Sequence, residues 1–255
     1  MFAPVVIKVV RPDMVDNAAV LQGLSREADL TDRLRHPLIV RSYFADLNGP
    51  RPCVALEMLP GEPLDVILAR EGKLSLDRTL DVGLGLAAAL HYLRNSDVVH
   101  LDVRPANVML GSVPRLIDFN LSFPAEQAAL LTGQVGTRGY LAPEQCAPPE
   151  TGVPCYATDV WGLGATLFKA IAGRRPFALG SWDASDSLEA QFPPLRETPR
   201  ALPGETPLPL ANVVMACLAK DPAQRPTPAT VFAELKKIQG GVRGSTTKSV
   251  GRGPA

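Results

Sequence analysis

Short apolar runs and longer stretches with apolar residues three and four apart divide the chain into two parts of different character. "VVIKVV" (5 to 10) and "PCVALEML" (52 to 59) are apolar runs of strand length, the first strongly β-branched. Between them "AVLQGLSREADLTDRLR" (19 to 35) repeats its apolar positions at helical spacing, and Pro37 predicts its end. The turn residues of "PGEPL" then break the pattern after Leu59. Beyond them the spacing predicts helices over 75 to 95, with Ser75 as N-cap, over 159 to 173, ended by Gly173, and over 210 to 219 and 227 to 238. Pro, Ser and acids between 178 and 209 predict a long surface loop with one short helix near Leu188. The last stretch, "GGVRGSTTKSVGRGPA", offers almost nothing to bury and carries Arg243, Lys248 and Arg252 without an acid, which predicts a flexible basic tail.

Composition narrows the class. With 46% apolar positions, 255 residues can fill one large core or two small ones, so a soluble globular protein is expected. The 26 basic and 26 acidic residues cancel, leaving no overall field to draw nucleic acid or an anionic membrane; partners must be recognised locally, and no nucleic acid is expected among them. Cys53, Cys146, Cys155 and Cys217 form no C-x-x-C pair and are scattered, which fits reduced thiols better than zinc or a disulfide framework. No apolar run has the length of a signal peptide core or a bilayer span, so the expected location is cytoplasmic.

The candidate chemistry lies in "VVHLDVRPANVML" (98 to 110), which sets an acid, a base and an amide between two apolar runs. Singly, its polar residues and their counterparts elsewhere have plain explanations: Lys8 ends a strand, Glu27 sits on a solvated helix face, Asp102 forms a turn before Pro105. In order, however, the chain reads "VVIK", "READL", "HLDVRPAN", "IDFN" and "GTRGYLAPE", and this set resembles the ordered signature of protein kinases. "TDVWGLGATLFKAIAGRRPF" and "CLAKDPAQRPT" extend the resemblance to eukaryotic-like serine/threonine kinases of the bacterial type, over about residues 5 to 238.

The resemblance implies an α+β, two-lobed protein kinase fold: a partial, strand-rich N-lobe over 1 to 59, a helical C-lobe over 60 to 238, and the basic tail over 239 to 255. It implies transfer of the ATP γ-phosphoryl group, with Mg2+, to serine or threonine of protein substrates. In that scheme Lys8 holds the α- and β-phosphates and pairs with Glu27, Asp102 is the catalytic base, and Arg104 neutralises the transferred group. Asn107 and Asp118 are the oxygen ligands that magnesium prefers. Val6, the gatekeeper Leu56, the hinge residues Glu57 and Leu59, and the floor residue Met109 bound the nucleotide base. Thr137 contacts Asp102 and shapes the bed for the acceptor residue, and Glu144 pairs with Arg225 across the large lobe.

The sequence also departs from the pattern. Seven residues precede Lys8, too few for the two strands and glycine-rich phosphate loop of the family, which predicts an apolar sheet edge left open. A start placed at an internal methionine and a genuine short form both account for the gap. "GLGLAA" (83 to 88) falls inside a helix pattern and "GQVGTRG" (133 to 139) inside the substrate loop, so neither replaces the missing loop. Leu101 stands where the family usually has an arginine, removing the cation that grips a phosphorylated activation loop whatever Thr132 offers; the loop is expected to be held by Phe123 and the apolar run 128 to 131. Arg104 replaces a lysine, Val6 a smaller alanine, and Asn120 a glycine whose left-handed backbone asparagine tolerates. These departures keep two rivals in play. One is a pseudokinase that signals by contact; the other is a small-molecule phosphotransferase of related fold, against which the "APE" motif and Arg225 argue.

Overall fold

In a computed structural model, which describes residues 4–249, three strands fall before residue 60 and three shorter ones, not foreseen, after it, while all but one of the described α-helices follow it. Strand β1 (Val5–Val9) is followed by helix α1 (Ala18–Arg33), β2 (Ser42–Asp46) and β3 (Cys53–Glu57). Asn17 starts α1 by accepting from the amides of Ala19 and Val20, two of the donors a helix N-terminus leaves unpaired. The helix turns Leu24, Glu27, Ala28, Leu30 and Thr31 inward over the sheet.

The three strands pair antiparallel in the order β1-β3-β2, placing Lys8 opposite Val54. Strand β1 is therefore an edge of the described sheet, and Val5, Val6, Ile7 and Val9 lie exposed along it. Strand β2 left no clear trace in the sequence. Of its residues only Ser42 is buried, and the register slips between Ser42 and Phe44, so apolar alternation has nothing to mark.

A second antiparallel sheet joins β4 (Glu62–Pro63), β5 (Val108–Leu110) and β6 (Pro114–Leu116) at the front of the helical part. The helices are α2 (Leu64–Glu71), α3 (Leu76–Asn95), the one-turn α4 (Ala125–Ala128) and α5 (Pro143–Cys146), α6 (Tyr156–Ala172), α7 (Leu188–Gln191), α8 (Leu208–Cys217) and α9 (Pro228–Ser249). Ser75 caps α3 as expected, accepting from the Arg78 amide, and Gly173 ends α6 with φ 69°. Helix α3 packs against α6 and α9, and α6 against α8, around Leu80, Leu86, Trp161, Leu167, Phe168, Leu210 and Leu235. Gly83 permits that approach, since a Cβ there would meet Leu235 Cδ1 at 2.7 Å.

Two expectations change. The 178 to 209 segment does hold a short helix at Leu188, but it is no free surface loop: Phe192 is buried and packs on Leu141 and Cys146. The predicted tail from 239 instead continues α9 to Ser249; Ile238 packs on the core and the Gln239 amide donates to Asp81 at 3.0 Å, so the helix is still anchored where the apolar spacing fades. The rest of that expectation, 250 to 255, lies outside the described residues. No helix among the described residues is long and apolar enough to cross a membrane.

Candidate active site

The segment from Val98 to Asn107 hangs from helix α6. Asp159, in the first turn, accepts from the amides of His100 and Leu101 at 2.8 Å each, and Val99 exchanges two backbone bonds with Phe123. Held in this way, Leu101 takes φ 66°, a conformation that a leucine adopts only when its surroundings impose it. Burial of the Asp159 carboxyl pushes its pKa up to about 7, against the pull of the two amides. Buried His100 accepts the Asp102 amide on Nδ1 at 3.3 Å, which leaves Nε2 to donate to the Ile117 carbonyl at 3.2 Å; burial lowers its pKa and favours this neutral form.

Asp102 follows. Its Oδ2 accepts from Arg104 Nε at 3.0 Å and from Asn107 Nδ2 at 2.8 Å, and Asn107 also donates to the Asp102 carbonyl at 2.9 Å. Oδ1 is buried with no hydrogen-bond partner. An orphaned buried carboxylate oxygen costs free energy on the order of 1–3 kcal/mol, so a site that keeps one keeps it for something that binds. Thr137 lines the same small cavity, but no hydrogen bond joins it to Asp102; the expected contact is a shared pocket wall only.

Across the cleft, Lys8 Nζ lies 2.6 Å from both Glu27 Oε2 and Asp118 Oδ1. Burial works against the ammonium charge, but Glu27 and Asp118 outweigh it and raise its pKa. Burial likewise pushes the Glu27 carboxyl up, with Lys8 pulling back. The other oxygen of Glu27 accepts from the Phe119 amide at 3.3 Å, tying α1 to the "IDFN" segment. The left-handed residue in that segment is Asp118, at φ 67°, and not Asn120 as expected. The Asn120 carbonyl is fixed by Arg26 Nη2 at 3.0 Å.

Between these groups lies a cavity of about 300 Å³ lined by Val6, Lys8, Glu27, Val40, Leu56, Glu57, Leu59, Met109, Ile117 and Asp118. Every residue proposed from sequence for the nucleotide base is on this wall; Val40 and Ile117 were not foreseen. The Glu57 carboxylate is engaged by Arg115 at 2.7 Å and its amide by the Arg41 carbonyl at 2.8 Å. A larger cleft of about 520 Å³ adjoins, sharing Lys8 and Glu27 and bounded by Gly23, Arg26 and Asn120.

The pair foreseen in the large lobe is present. Arg225 grips both oxygens of Glu144 at 2.6 and 2.9 Å, and Thr158 adds a third bond at 2.7 Å. The sequence reading overlooked Asp159, His100 and Gln145. The amide nitrogen of Gln145 donates to the carbonyls of Leu101 and Val135, clamping the substrate loop to the catalytic segment. "TDVW" held the one usable signal, a carboxylate in the first turn of an otherwise apolar helix.

The profile described as "Protein kinase domain" matches residues 3–235. Among curated proteins the chain is 31% identical over 246 residues to the serine/threonine-protein kinase PkaA of Streptomyces coelicolor, covering 93% of this chain and 44% of that protein. It is 31% identical over 240 residues to PknA of Mycobacterium tuberculosis, covering 90% of this chain and 54% of that one. Against PknA of Corynebacterium glutamicum it is 30% identical over 230 residues, with 87% and 47% covered. The chain thus spans about half the length of the curated relatives it matches. With the fold, the order of the motifs and this match in agreement, the chain belongs to the protein kinase family, in its bacterial serine/threonine type.

Proposed function

We propose that this protein transfers the γ-phosphoryl group of ATP to serine or threonine hydroxyls of protein substrates. The observation that carries the reading is Asp102, whose buried Oδ1 has no partner while Arg104 and Asn107 hold Oδ2. A carboxylate fixed through one oxygen, with the other waiting, suits a base that orients and deprotonates an acceptor hydroxyl. Arg104, already beside that oxygen, carries the positive charge that meets the transferred group.

The donor set fits ATP and magnesium. Lys8 bridges Glu27 and Asp118 at the mouth of the apolar cavity, where it can exchange a carboxylate for phosphate oxygens. Asp118 Oδ2 makes no hydrogen bond among the described residues, and Asn107 supplies an amide oxygen nearby; these two are the metal ligands proposed. Bound magnesium would offset phosphate charge and orient the triphosphate. Val6, Leu56, Leu59 and Met109 supply apolar walls for the base, and the Glu57 carbonyl a polar contact. Thr137, Glu144 and Arg225 shape and fasten the acceptor bed. A cytoplasmic location is part of the same proposal.

One observation favours the pseudokinase reading: Arg104 spends its Nε on the Asp102 carboxylate that the reaction needs, at 3.0 Å. The discriminating experiment compares wild type with Asp102→Asn on a mixed panel of acidic and basic acceptor proteins, with ATP binding measured alongside. Transfer is expected to fall by about 10²–10⁴-fold with binding nearly unchanged, the contribution typical of a general base. Equal transfer by both proteins refutes the role of Asp102, and ATP binding without transfer in wild type supports the pseudokinase.

A further inference from the structure

Three cations around the substrate loop have no carboxylate of their own. Arg175 lies along the loop backbone: a Cβ on Gly139 would meet its Cδ at 3.1 Å and its Nε at 3.4 Å, and Gly139 itself has φ 87°. Next to it, Arg138 donates to the carbonyls of Ser181 and Gln191 and stacks over the Trp182 ring at 4.4 Å, all uncharged contacts. Lys169, in the last turn of α6, is half-buried; burial and then the nearby charge of Arg175 lower its pKa, with Asp65 the only acid opposing them. Among the described residues none of the three forms an ion pair.

Arg175 also acts on Tyr140, one residue beyond Gly139. Burial pushes its hydroxyl up to about 12, and the charges felt there are Arg175, Arg104, Asp65 and Asp102. Arg104 and Asp102 offset each other at 3.0 Å. At Tyr140 that leaves Arg175 against Asp65, and Lys169, which feels the same two charges, tips the local balance positive. The helix dipole accounts for a cation in the last turn of α6, as Lys169 is. It does not account for Arg175, two residues past the Gly173 cap and committed to the substrate loop.

We propose that Lys169 and Arg175 select acceptor peptides carrying acidic residues beside the phosphorylated serine or threonine. The inference rests on reading the 133 to 144 segment as the acceptor bed. Unpaired cations at the rim of a binding surface steer and discriminate partners by charge, and like-charged partners are disfavoured by the same field.

The test is fluorescence anisotropy of the full chain, without nucleotide, with two short labelled peptides that share a central serine and differ only in glutamate or lysine flanks. The glutamate peptide should bind about tenfold more tightly, the ratio two rim charges can supply, with the advantage shrinking as salt screens it. Lys169→Gln with Arg175→Gln should bring the ratio to about twofold or less, and Arg175→Gln alone should reduce it part of the way. Equal binding of the two peptides by wild type, tighter binding of the lysine peptide, or a ratio that survives in both variants overturns the inference. A parallel transfer assay separates the two readings. Acidic preference in binding without any transfer sinks the kinase function and leaves the acidic selection standing; transfer without charge preference does the reverse.

Discussion

Two ion-pair systems tie distant parts of this chain together, and they differ in how far water reaches them. Glu144 and Arg225 are 0% exposed in their side chains, and the guanidinium is saturated by both carboxylate oxygens and the carbonyls of Ala157, Ala219 and Lys220. Lys8 keeps 36% of its side chain exposed and shares one ammonium between two carboxylates. A sealed, saturated pair has one arrangement and serves as a fastener. A shared, wet one can trade a partner, which is what a phosphate-binding cation must do.

Breaking the sealed pair should give the largest effect on stability. Arg225→Ala leaves the Glu144 carboxylate buried and short of its cation, and is expected to cost about 3–5 kcal/mol. At this chain length that lowers the melting temperature by about 10 °C, measured by calorimetry. Lys8→Met should cost only about 1 kcal/mol, because burial already inclines Glu27 to take up a proton, while ATP binding is largely lost. Equal thermal shifts for the two variants would erase the distinction between fastener and working site.

A smaller effect lies between the two systems, at Asp159. Its folded pKa, about 7, stands above the roughly 4 of an aspartate in an unfolded chain. A carboxyl raised in this way contributes stability that is whole below the unfolded pKa and is lost as pH climbs through the folded one. Wild type should therefore lose melting temperature between about pH 4 and 7 more steeply than Asp159→Asn, although the variant, whose amide turns a donor toward one of the two N–H groups, starts lower. Parallel pH profiles would place the carboxyl in its ordinary range.

What the sequence made legible follows the same division. Helix α3 with its Ser75 cap, the Gly173 stop on α6 and the Glu144–Arg225 pair were readable because local spacing or a long-range motif carries them. Strand β2 was not, since backbone pairing with β3 makes it and its outward Tyr43 and Phe44 hide the alternation. Asp159 was not, because its partners are backbone amides 58 and 59 residues away, which no side-chain pattern announces. The left-handed residue was misplaced from Asp118 to Asn120 for a related reason. Intrinsic tolerance pointed to asparagine, whereas tertiary contacts through Lys8 and Arg26 set the backbone.

The smallest expected effect concerns Thr132, and it tests what holds the activation loop. Leu101, Val99 and Ala128 form a buried cluster with Phe123, Leu131, Val135 and Tyr156 packed against it. Of the apolar run 128 to 131, Ala128 and Leu131 thus face inward, while Leu130 is 75% exposed. Cations along the loop are already engaged: Arg26 stacks 4.2 Å over the Phe123 ring, Arg94 over the Tyr156 ring, and Arg138 holds two carbonyls. Packing therefore supplies the order that a phosphate and an arginine would otherwise supply. Thr132→Ala, phosphatase-treated beside treated wild type, should transfer phosphate to within about twofold of it, as expected for an exposed substitution. Leu101→Ala, which removes the centre of the cluster, should instead speed proteolytic cleavage between 124 and 135. Loss of activity on phosphatase treatment, or in Thr132→Ala, would mean that the loop depends on a phosphate after all and that Arg138 leaves its carbonyls to bind it.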